Sequence, residues 1–151
     1  MIYKILPKRS IVVGIIDFEN CINEYAVESE KNYPSINKLG KCKVEVYDNE
    51  GMVPHFHIYG KSAEICVCLK SNKYFSHSPR HMQFSNLDQT RELNDWLSRY
   101  NVKISRQEGQ AITNYQALIK VWNMLNEHAQ LKPDTKQPDY GIMSEEYKKD
   151  R

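Results

Sequence analysis

Long apolar runs are missing from this sequence. Even the stretch from Ile11 to Ile16 falls short of the ~20 residues a membrane-crossing helix needs, and Gly14 breaks it. Strong charge of one sign is missing too. The 21 Lys and Arg stand against 19 Asp and Glu, a formal net charge of +2. That balance supplies no field demanding a nucleic acid or an anionic membrane, so nucleic acid is unsupported as a partner and a membrane is not expected. There is no glycine-rich phosphate loop, no H-E-x-x-H and no G-x-S-x-G, which removes the common nucleotide, zinc-protease and serine-hydrolase signatures. Internal repeats and low-complexity tracts are absent as well. Cysteine is scarce, at positions 21, 42, 66 and 68. The last two alternate on one expected strand, where a disulfide between them would be strained. Reduced thiols and a cytoplasmic setting are therefore expected. The basic start followed by apolar residues faintly imitates a signal peptide, but Asp17 and Glu19 cut it short.

What is present suits one α+β domain. From Ser10 onward Val12, Ile15, Ile16, Phe18, Ile22, Tyr25 and Ala26 recur at helical spacing, while the β-branched density of 11–16 suits a strand equally. A helix is expected over 17–28, with 10–16 left open between the two states and a loop over 29–40. Next come three segments of strict alternation, Val44 and Val46, Phe56 and Ile58, and Ile65, Val67 and Leu69. They predict an antiparallel β-meander with one apolar face. Gly60-Lys61 suits a type II′ turn, which would pair His57 with Glu64 and His55 with Cys66. A further strand over 73–77 is expected to follow.

Asn86 reads as an N-cap, followed by the stripe Leu93, Trp96, Leu97 and Tyr100. A second helix is expected over 112–128, with Ile112, Tyr115, Leu118, Ile119, Trp122 and Leu125 as its buried stripe. The expected architecture is a meander of three to four strands packed on one face by two or three helices. Residues 1–129 form the domain, with its core in 41–128, and 130–151 form a C-terminal extension that is either loose or docked on a partner.

The opposite face of the meander would carry Lys43, Glu45, Tyr47, His55, His57, Glu64, Cys66 and Cys68. Side chains two apart on a strand project from the same face, so His55 and His57 can converge on one ion or substrate. Three functional readings follow. His55, His57 and Cys66 could bind zinc or another divalent metal, although no cofactor is demanded. His55, His57 and Glu45 could instead do acid–base chemistry in a small nuclease. Cys66 with a histidine and Glu45 or Glu64 could form a nucleophilic set, although nothing in the sequence marks the thiol as activated. All three depend on hairpin register, because a three-residue turn would carry both cysteines to the apolar face. If helices cover that apolar face, the histidines should face outward; the alternative is a purely structural pair buried beneath the Asn86 or Ile112 helix. His77 and His81 lie in a loop that could close over them, and His128 reads as a helix C-terminal residue. Lys70, Lys73 and Arg80 around Tyr74 and Phe75 make a short basic-aromatic stretch, the one local feature that could suit nucleic acid.

The run Val53-Pro54-His55-Phe56-His57-Ile58-Tyr59-Gly60, then Ala63-Glu64-Ile65 and a tryptophan-bearing helix, resembles a small bacterial domain-of-unknown-function family. That family has a P-P-H-F-H strand signature. The likeness covers roughly residues 42–100. Val53 replaces the first proline, the 77–84 loop replaces a Leu-Pro turn, and Asp95-Trp96 stands where Glu-Trp is usual. The resemblance implies functional weight on His55 and His57, and a toxin–antitoxin, phage or mobile-element accessory role. A protein partner is the leading expectation, met by the exposed sheet face or by the apolar residues of the tail.

Overall fold

The computed structural model describes residues 8–19, 21, 35–36, 39–61, 63–78, 80–143 and 147–148. Along the chain the elements are β1 (Ser10–Asp17), β2 (Ser35–Ile36), β3 (Lys41–Tyr47), β4 (His55–Tyr59), β5 (Glu64–Cys68), β6 (Phe75–Ser76) and β7 (Gln83–Phe84). Then follow α1 (Leu87–Ser98), α2 (Val102–Glu108), α3 (Asn114–Leu125) and β8 (Tyr147–Lys148). Strands β1, β3, β4 and β5 form one antiparallel sheet in that order, and α3 packs on β1 and β3 beside α1. The chain is thus an α+β fold, with the expected meander at its centre. No helix among the described residues is long and apolar enough to cross a membrane.

The seven alternating apolar residues behave as their spacing predicts, since Val44, Val46, Phe56, Ile58, Ile65, Val67 and Leu69 are each at most 1% exposed. Segment 10–16, open between helix and strand in the sequence, is strand. Its ambiguity has a cause, because the register against β3 slips between Val12 and Gly14 and leaves Val13 as an extra residue. That bulge breaks the period of two that would have marked a strand. Gly14 lies under Trp96, where an added Cβ would sit 2.7 Å from Cζ2, so the ring packs on bare backbone. The nearby carbonyl of Val13 accepts from Asn101, whose side chain also donates to Asn114.

Several expectations are corrected. The helix expected over 17–28 does not begin there, because Asp17 ends β1, and residues 22–28 lie outside the described residues. Within the expected loop over 29–40, Ser35–Ile36 pairs in parallel with Gln83–Phe84. The β4–β5 connection is four residues long, not two, and is closed by a bond from Gly60 N to Ala63 O of 2.9 Å. Gly60 is not in the left-handed region, so it is not the first residue of a type II′ turn. The observed pairs are Tyr59 with Glu64, His57 with Cys66 and His55 with Cys68. Because the displacement from the expected register is even, both cysteines stay on the histidine face. The expected fourth strand does run beside β5, where Tyr74 bridges Val67 and Cys68 N donates to Lys73 O at 2.9 Å, but only Phe75–Ser76 forms a ladder, and that ladder is with β8. The fourth strand of the sheet is β1, on the opposite edge.

α1 starts where expected, with Asn86 accepting from Gln89 N. Tyr100 lies beyond its C-cap and is exposed, not part of the stripe. α3 is shorter than its apolar stripe, since Thr113 and Gln116 form a capping box that starts it. α2 escapes sequence reading because it buries none of its residues and has only its Asn101 cap and Gly109 (φ 69°) to mark it. The first part of the tail packs on the chain's own core. Leu131 and Tyr140 are buried there, and the Tyr140 hydroxyl donates to the Cys68 carbonyl.

Candidate metal centre

β4 is buried on both sides. His55 and His57 are 1% and 2% exposed, as deeply enclosed as Phe56 and Ile58 on the other face. The expectation that the histidines would look outward once helices took the apolar face therefore fails. Two loops cover them, and the Trp122 ring of α3 lies 5.5 Å from that of His55. The first, between β3 and β4, turns through Asn49 (φ 50°) and Gly51 (φ 90°), left-handed positions that Asn and Gly tolerate. These flank Glu50, which is buried, and whose N–H donates to Asn126 Oδ1 at the end of α3. The second loop follows β5 and brings Phe75 onto the His55 ring, with centroids 4.0 Å apart and planes at 29°. It also sets His77 and His81 against His57. Cys66, Cys68, Phe75 and Val53 form a small apolar cluster there, separate from the main core.

His57 is the hub. Its Nε2 lies 2.8 Å from Glu50 Oε1, and its Nδ1 lies 2.8 Å from Glu64 Oε2 and 3.0 Å from Cys66 Sγ. His81 Nε2 reaches Glu64 Oε1 at 3.3 Å and Cys66 Sγ at 3.6 Å. On the other side, His55 Nδ1 is 2.7 Å from the Val53 carbonyl, which can only accept, so this nitrogen carries the proton in the neutral ring. That leaves His55 Nε2 as a lone pair. It sits 3.8 Å from Glu50 Oε1, beyond hydrogen-bond reach, and is buried without a hydrogen-bond partner, as is His81 Nδ1. Buried polar atoms of this kind are uncommon and call for an explanation such as an ion. Tyr59 stacks on the His57 ring and exchanges a 2.9 Å bond with Tyr47.

The electrostatics follow from this arrangement. Burial opposes charge on Glu50, but His55, His57 and the Lys8 ammonium overcome it and hold its carboxyl far below the usual range. Burial likewise opposes charge on Glu64, and His57, His81 and Tyr59 hold it well down. For His57, burial is outweighed by the two carboxylates and the imidazole is pushed up. Burial pushes His55 down. His77, at the solvent edge, is pushed down to about 4 by lost hydration and the neighbouring imidazoles, against the pull of Glu50. Two of the rings are thus neutral near pH 7, with lone pairs to offer.

Among the described residues, two donor groups could hold a cation: His57, Cys66, His77 and His81, and Glu50, His55, His57 and His77. In each, one ligand atom per residue lies within 4.8 Å of the others. The three residues expected to ligate metal are thus divided, Cys66 in one group and His55 in the other with His57 common to both, and the covering loop adds His77 and His81. Glu45 stands opposite His57 in register, yet the described bonds of His57 go to Glu50, Glu64, Cys66 and Tyr59. The chain Cys66–His57–Glu50 has the connectivity of a thiol–imidazole–carboxylate relay. Cys66, however, is 1% exposed, and burial together with Glu64 and Glu50 pushes the thiol up, which argues against a nucleophile. None of the four cysteines forms a disulfide. His128 stands apart, bonding the Gly51 carbonyl at 2.9 Å and so bracing the Glu50 loop. In the basic-aromatic stretch, Tyr74 and Phe75 are buried and offer no face for base stacking.

Sequence reasoning missed Glu50, which reads as a turn residue within Asp48-Asn49-Glu50-Gly51. A signal was available in Asn49 and Gly51, two residues suited to left-handed backbone on either side of a carboxylate. No model of a known protein family, no curated protein and no solved structure matches the chain.

Proposed function

We infer that this protein binds a zinc-class divalent cation through His57, Cys66, His77 and His81, with Glu64 beside them as a further oxygen donor. The observation that carries this reading is the convergence of three imidazoles and a thiol within 4.8 Å, next to buried ring nitrogens that lack hydrogen-bond partners. Mixed nitrogen and sulfur donors select zinc over magnesium or calcium, which favour oxygen. Glu64 lies against the same nitrogens that face Cys66, His57 Nδ1 at 2.8 Å and His81 Nε2 at 3.3 Å, so its carboxylate would be a further oxygen donor at this position. A cation would also convert the buried thiol to its thiolate, which burial alone opposes.

One observation favours a second reading. With a carboxylate 2.8 Å from each nitrogen, His57 can also persist as a buried imidazolium bridging Glu50 and Glu64, a purely structural ion triad. Metal analysis of untagged protein, compared with a His57→Ala, Cys66→Ser double variant, separates the two. Stoichiometric zinc that disappears in the variant supports the metal reading. Protein that stays metal-free, even after incubation with zinc, sinks it and leaves the triad. Whether the centre serves a hydrolytic reaction or stabilises an accessory module of a phage or toxin–antitoxin kind is a separate question. Metal-dependent phosphodiester cleavage that is lost on replacing His77, the exposed member of the set, would favour the enzyme.

A further inference from the structure

Resting on that reading, we propose that the pocket holds two divalent cations side by side, one on each nitrogen of His57, with the imidazole ring as their bridge. The two nitrogens of an imidazole point away from one another, so a single ion cannot take both. Here each nitrogen faces its own donor set. Nδ1 looks toward Cys66 Sγ at 3.0 Å, with His81 Nε2 3.6 Å from that sulfur. Nε2 looks toward Glu50 Oε1 at 2.8 Å, with the unpartnered His55 Nε2 3.8 Å from the same oxygen. His55 is 1% exposed and its Nδ1 is occupied by the Val53 carbonyl, so the lone pair it has left, on Nε2, is buried beside this second position. His77 is common to both groups.

Charge supports a pair of ions. Two carboxylates, Glu50 and Glu64, the Cys66 thiolate and a bridging His57 imidazolate would together carry four negative charges, of which the Lys8 ammonium 2.9 Å from Glu50 offsets one, leaving more than a single divalent cation neutralises. The protons balance as well. Loading takes one proton from the Cys66 thiol and two from the His57 imidazolium, and all leave to solvent as the metal–sulfur and metal–nitrogen bonds form. The two positions differ in kind. The first includes a sulfur donor, while the second is built of imidazole and carboxylate only and would accept a harder divalent ion.

The test is titration of the chelator-stripped, untagged full chain with Co2+, reading stoichiometry, thiolate-to-cobalt charge-transfer absorption and magnetic coupling. Two equivalents are expected, with the charge-transfer band saturating at one of them and spin coupling appearing with the second. Glu50→Gln should bind one equivalent with the band intact, and Cys66→Ser one equivalent without it. His55→Gln repeats the first variant without touching Glu50, and circular dichroism checks that each chain is folded. A single equivalent with a full band in the unaltered chain overturns the second position and leaves the single-ion reading standing. No binding at all overturns both. Two equivalents that persist unchanged in Glu50→Gln and His55→Gln overturn the assignment of the second ion to this place.

Discussion

The two faces of β4 are buried to the same degree and made of opposite chemistry. Phe56 and Ile58 point into the main core under α1, α3 and Tyr140, while His55 and His57 point into a pocket of imidazoles, carboxylates and a thiol. On the apolar side, coverage alone suffices, because removing hydrocarbon from water is favourable wherever it goes. On the histidine side, coverage alone is unfavourable, and every buried polar atom needs a partner. Most have one. His55 Nε2 and His81 Nδ1 do not, and these two atoms distinguish a site from a second core.

The comparison can be broken by experiments on either face. The largest expected effect is Phe56→Ala, which should cost ~3–5 kcal/mol in urea unfolding as a large core side chain is deleted. The loss should be equal with zinc or with chelator; a zinc-dependent loss would mean that the two faces are energetically one. Next, zinc at about 100 times its Kd should raise the stability of the unaltered chain by ~2.7 kcal/mol over the chelated protein. That increment should vanish in the His57→Ala, Cys66→Ser variant, measured by thermal and urea unfolding. A smaller effect tests polar contacts made from within the apolar core. The Tyr115 hydroxyl donates to the Leu69 carbonyl at 2.6 Å, so Tyr115→Phe should cost ~0.5–1.5 kcal/mol, again independent of metal.

An effect confined to alkaline pH concerns Cys42, a thiol on the apolar face, pushed up to about 11 by burial and then by Asp17. A folded-state value above the unfolded 9.0 contributes stability below pH 9 that is lost as pH rises toward about 11. Cys42→Ala should therefore flatten the alkaline loss of stability between those values in pH-resolved unfolding. An unchanged slope would show that other groups dominate that window.

Much of this contrast was legible before any coordinates. The strict alternation of Val44 to Leu69 placed seven buried side chains and, with them, the face shared by His55, His57, Cys66 and Cys68. The even displacement of the β4–β5 register left that assignment intact even though the turn type was wrong. Other features were hidden for physical reasons. The Val13 bulge erased the period of two in β1, and α2 has no apolar stripe to read.

The site was half legible. Two histidines on one strand and two in a following loop are visible in sequence, but Glu50 is not, because a turn carboxylate looks the same whether it points outward or folds back over the sheet. Local alternation is a property of neighbouring residues, so the sequence alone determined which side chains share a face of the meander. Whether that face meets water, a partner or its own loops depends on contacts between residues far apart in the chain, such as Glu50 with His57 across the β3–β4 loop and His81 with Cys66. Only the tertiary structure closes those loops, and only there does a pair of strand histidines become an enclosed donor set with two bare nitrogens.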